Sequence, residues 1–76
     1  YPGELALSLA LARICISQKL WGKAKSTLQG LLHDVKAKPM MKADAHMCLA
    51  GLHEALDEPE QAAEQYKLAA KIYSAS

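Results

Sequence analysis

Three side chains able to ligate a metal lie close together in the chain: His46, Cys48 and His53. Imidazole and thiolate are common ligands of zinc and of haem iron, so this group suggests a haem- or metal-handling domain. On a helix, a spacing of seven puts His46 and His53 on one face but two turns apart, and it turns Cys48 toward another side. Two such histidines cannot reach one ion from a straight helix, so ligation by His46 and His53 stands as an alternative reading. His33, near the negative end of a helix, reads as a cap or dipole partner. Arg13 is the only arginine and sits among apolar residues. Its guanidinium can fork onto a partner's carboxylate, or it can pair internally with Glu54 or Asp44. No phosphate-binding glycine loop, nucleophile elbow, HExxH, calcium loop or paired-zinc spacing occurs, so no catalytic residue, cofactor or enzymatic activity is expected.

The elements that position these groups have to be small. The chain has 76 residues and 8.2 kDa, and a domain of that size buries only about 60% of the surface its unfolded chain exposes, which leaves little room for a deep enzyme cleft. Half of the residues are apolar, mostly Ala and Leu with no Phe, so the intrinsic bias is helical. The formal charge is only +1, but residues 1 to 42 carry seven basic and two acidic side chains while residues 43 to 76 carry two and six, giving +5 and −4. Such a polar module suits head-to-tail stacking or a charged partner. The lysines 19, 23, 25, 36 and 38 lack interleaved aromatics apart from Trp21, so nucleic acid is not an expected partner. Cys15 and Cys48 are isolated, which fits a reducing compartment. The longest apolar run, Leu5 to Ile16, is broken by Ser8 and Arg13 and is too short to span a bilayer.

Four helices follow from the pattern. Pro2 and Gly3 precede a helix from Glu4 to about Ser17, which is apolar nearly all round and so needs covering on more than one face. A second runs from about Leu20 to Val35, with Leu20, Ala24, Leu28, Leu31 and Leu32 on one side. Pro39 opens a third, to Ala55. Asp57, Pro59 and Glu60 form the start of a fourth, with Asp57 as N-cap, ending near Tyr73. Short links make neighbours antiparallel, so the expected architecture is all-α: two helical hairpins in one domain over 1–76, about 4–38 and 39–76, cut from a larger protein.

The hairpins repeat. A shift of 38 residues superimposes Leu11-Ala12 on Leu49-Ala50, Ile14 on Leu52, Ala24 on Ala62 and Leu28 on Tyr66. This resembles the tetratricopeptide (TPR) repeat, in which small residues let two helices approach and a large one fills the adjacent groove. Its usual period is 34, and Ser8, Cys15, His46 and His53 stand where bulky residues are usual. The resemblance implies a curved array whose concave face comes from the first helix of each pair. Leu9, Arg13 and Ser17, with Asp44, Met47, Gly51 and Glu54, would then line a protein-binding face, Met47 as an adaptable apolar contact. Trp21, at the turn, would pack into the hairpin or anchor an interface.

Residues 11 to 28, with Ala12-Arg13-Ile14-Cys15 and Leu20-Trp21-Gly22-Lys23-Ala24, resemble the C-terminal TPR portion of the proteobacterial HemY family, associated with protohaem biosynthesis. That resemblance implies a parent protein anchored in the inner membrane by helices outside this segment. The present domain would be its soluble, cytoplasmic, non-catalytic scaffold for haem-pathway proteins. Two repeats also leave apolar ends uncovered, which suggests self-association as a structural spacer.

Overall fold

In a computed structural model, which describes residues 4–75, the chain forms four helices in the order α1 (Glu4–Ser17), α2 (Trp21–His33), α3 (Pro39–Ala55) and α4 (Pro59–Ala75). Pro2 and Gly3 lie outside the described residues. The α1 and α3 limits are those expected. α2 stops two residues earlier because the Asp34 carboxylate accepts the Lys36 N–H at 2.8 Å, a local bond that competes with another helical turn. α4 runs two residues past Tyr73.

α1 and α3 end in the same way. Lys19 and Asp57 adopt left-handed backbone (φ 62° and 58°), and the next residue's N–H reaches back to Cys15 O and His53 O respectively, both at 2.8 Å. Lys19 N–H and Asp57 N–H donate to Ile16 O and Glu54 O, both at 3.0 Å, completing a Schellman motif in each hairpin. This corrects the expectation that Asp57 caps α4. The residue belongs to the end of α3, and Glu58 supplies the carbonyl that accepts the Ala62 N–H at 3.0 Å.

α1 packs on α2, α3 packs on α1, α2 and α4, and α4 packs on α3 alone among the described helices. The molecule is a slab of 33 × 27 × 16 Å, about two helix layers thick. Ala12, Ala24, Ala50 and Ala62 are all buried. With no bulk beyond Cβ at these crossings, the backbones close up, and Leu28 and Leu49 are buried beside them. Leu11 and Tyr66, from the same signature, remain exposed.

Two clusters hold the hairpins together. Leu9, Ala12, Leu28 and Leu31 meet Ala45 and Leu49 of α3 in one. Cys15 and Ala24 meet Leu52 in the other, with Trp21 packed at its edge, so Trp21 serves the hairpin junction. No described helix is long and apolar enough to cross a membrane.

Candidate functional site

The exposed stripe of α3 is set by spacing. Asp44, Met47, Gly51 and Glu54 recur at three and four residues and so share one side of the helix. Asp44 and Gly51 are half-buried, whereas Met47 and Glu54 are exposed. Both acids are held from the neighbouring helix: Tyr73 donates its hydroxyl to Asp44 Oδ1 at 2.6 Å, and Tyr66 donates to Glu54 Oε1. A spacing of seven puts the two tyrosines on one face of α4, so a pair of phenols meets a pair of carboxylates across the hairpin.

The bonds leave an electrostatic signature. Both phenols titrate above their ordinary value of 10.0, chiefly because each donates to a carboxylate, then through burial and through that carboxylate's negative charge. On Tyr73, the charge of Cys48 adds to the rise and Arg13 opposes it. The guanidinium of α1 therefore lies within electrostatic reach of the Asp44–Tyr73 pair. Among the described residues Arg13 holds no carboxylate in a salt bridge, neither Glu54 nor Asp44.

Two residues assigned to this face behave differently. Leu9 is buried against α3 and cannot meet a partner, which corrects its assignment to the concave surface. The cause is Ala45 in the same cluster: with only a methyl group there, α3 closes over Leu9. Ser17 is exposed, but its hydroxyl donates to Ile14 O at 2.7 Å within its own helix.

Each histidine makes a hydrogen bond within the fold. His46 Nδ1–H donates to Gln65 Oε1 of α4 at 2.7 Å, and His53 Nδ1–H donates to Glu58 Oε1 at 2.8 Å. The second bond spans the two positions of the Schellman motif that usually share an apolar contact, so His53 and Glu58 replace that contact with a polar one. His33 Nδ1–H donates to Gln29 O at 2.8 Å near the end of α2. Among the described residues no three His, Cys, Asp or Glu side chains gather as a metal site, and Cys15 and Cys48 are both free thiols.

Set against family models, curated proteins and solved structures, the chain matches none of them.

Two clefts lie away from the α3 stripe. One, of about 620 Å³, sits between the start of α1 and the link to α3, lined by Glu4, Ser8, Asp34, Lys36 and Met41 among others. The other, of about 420 Å³ and more apolar, lies between Pro39 and His46 of α3 and Leu68, Ile72 and Ala75 of α4.

The tyrosines are the site residues that sequence reasoning did not assign to this face. Tyr66 reads as groove packing and Tyr73 as a helix end. The available signal was their spacing of seven opposite two acids ten apart.

Proposed function

We propose that the chain is a non-catalytic protein-interaction module. A pair of TPR-like hairpins presents Asp44, Met47, Gly51 and Glu54, with Arg13 beside them, to a partner segment. The observation that carries this reading is the pair of tyrosine-held carboxylates. Each tyrosine hydroxyl occupies one acceptor site of an ionised carboxylate that has about four, so each acid keeps lone pairs for an incoming donor. Its position is already fixed, which lowers the ordering cost of binding. Asp44 and Glu54 are ten residues apart on one helix, about 15 Å at 1.5 Å per residue. An extended peptide covers that distance in about four to five residues. The partner favoured is therefore an extended segment with two basic side chains at that interval and an apolar residue between them for Met47.

The setting, a membrane-attached organiser of haem-pathway proteins with this module on the cytoplasmic side, is inferred from the resemblance of residues 11 to 28.

Fluorescence anisotropy with labelled synthetic peptides tests the reading. A peptide with lysines four or five apart should bind more tightly than its scrambled and Lys→Gln versions, and Asp44→Asn with Glu54→Gln should remove the difference. Equal affinity for all three peptides would refute it.

A further inference from the structure

α1 carries an uncovered apolar stripe, Leu7, Leu11 and Ile14, which are 71%, 43% and 53% exposed. Their spacing of i, i+4 and i+7 is that of anchors on a helix that docks into a groove. The 38-residue shift that relates the hairpins shows what such a stripe is for. It maps these three residues onto Ala45, Leu49 and Leu52, which are 0%, 4% and 1% exposed. Those are the α3 residues that pack hairpin two onto hairpin one.

The receiving surface has a counterpart too. Hairpin one accepts α3 through residues that include Leu9, Leu28 and Leu32. The same shift maps these onto Met47, Tyr66 and Ala70, all exposed. The molecule thus uses one helix-on-hairpin interface internally and leaves residues equivalent to both of its halves exposed, on α1 and on hairpin two.

We propose that a second copy of this chain occupies the free end of hairpin two. Its α1 stripe Leu7–Leu11–Ile14 seats against Met47, Tyr66 and Ala70, as α3 seats on hairpin one. The occupant is a second copy because this chain itself supplies the matching stripe, and because the contact continues an interface already formed. Charge gives the orientation. Residues 1 to 42 carry +5 and residues 43 to 76 carry −4, so unlike ends attract and like ends repel. The contact is heterologous and does not close on itself at a dimer, so assembly continues to longer stacks or rings. This surface shares Met47 and Tyr66 with the proposed peptide-binding face, but the two substituted positions, Leu7 and Ala70, lie outside that face. The test leaves Asp44, Met47, Glu54 and both tyrosines in place, so the two readings fail separately.

Sedimentation of the wild-type chain and two blocked variants decides the matter. Leu7→Glu places a charge on the α1 stripe, and Ala70→Glu places one on the receiving face. Both positions are exposed, so each variant should keep the wild-type helical circular dichroism. Over about 10 µM to 1 mM, the range of a small transient interface, the wild-type average mass should rise past the dimer. Each variant alone should stay monomeric. An equimolar mixture should reach about double the monomer mass and stop there, because only one free stripe and one free receiving face remain per pair. A wild-type monomer throughout, a mixture that stays monomeric, or either variant pairing alone would overturn the proposal.

Discussion

Lys19 and Asp57, 38 residues apart, hold the same left-handed backbone conformation at the ends of α1 and α3. In both hairpins this residue turns the chain so that the following N–H satisfies a carbonyl of the preceding helix, at Cys15 and at His53. The shared turn sets where α2 and α4 begin, and hence the depth at which Ala24 and Ala62 enter the core.

The cost of that conformation differs between the two residues. A left-handed L-residue is disfavoured by about 1–2 kcal/mol, and aspartate tolerates it better than lysine. Lys19→Gly should stabilise the fold by about 0.5–1 kcal/mol, and Asp57→Gly by less, since part of the gain is offset by the greater freedom of glycine in the unfolded chain. Urea denaturation of both variants checks the order. A destabilised Lys19→Gly would show that the side chain, rather than the backbone, matters there.

The tyrosine pairs make a pH-dependent prediction. Tyr66 and Tyr73 hold their protons more tightly in the folded state than the ordinary phenol value of 10.0, chiefly through their bonds to Glu54 and Asp44. A proton held more tightly in the folded state stabilises folding fully below pH 10, and the contribution is lost as pH rises through the folded values. Stability should therefore fall at alkaline pH, and the fall should shrink in Tyr66→Phe and Tyr73→Phe. Phenolate absorbance against pH should show a component above 10 that these variants remove. A wild-type titration lying wholly at the ordinary value would contradict the pairing.

His53 is buried beside the end of α3 and bonded to Glu58. His53→Ala should cost about 1–2 kcal/mol, from the lost bond and the space left by the ring. Titration with hemin should leave the Soret band where free hemin places it, for both wild type and variant. A Soret shift near one equivalent that depends on His53 would favour the haem-handling alternative.

Much of the fold is legible in the sequence because its signals are local. Pro39 at the first position of α3 and the Ala-rich composition determine helices without reference to neighbours. The alanine spacing then gives the hairpin geometry, because only small residues fit at a close crossing. Where local signals compete, the reading fails. Asp57, Pro59 and Glu60 resemble a helix start, yet Asp57 is committed to ending α3. Asp34 ends α2 through a bond to Lys36 N–H, although Val35 would continue the apolar pattern. The candidate site is less legible still. Asp44, Met47, Gly51 and Glu54 share a stripe by period alone, but whether Leu9 joins them depends on how closely α3 approaches α1. The pairing of Tyr66 and Tyr73 with those acids depends on the rotation of α4 against α3, which no short-range pattern encodes.

The claim on which the rest depends is that alanines at equivalent depths hold both hairpins together. Chemical denaturation of Ala24→Leu and Ala62→Leu, beside the exposed control Ala63→Leu, tests it most directly. Each core variant should lose about 1–3 kcal/mol through overpacking while the control stays near wild type. Core variants that unfold at the wild-type midpoint would contradict the architecture and the binding surfaces built on it.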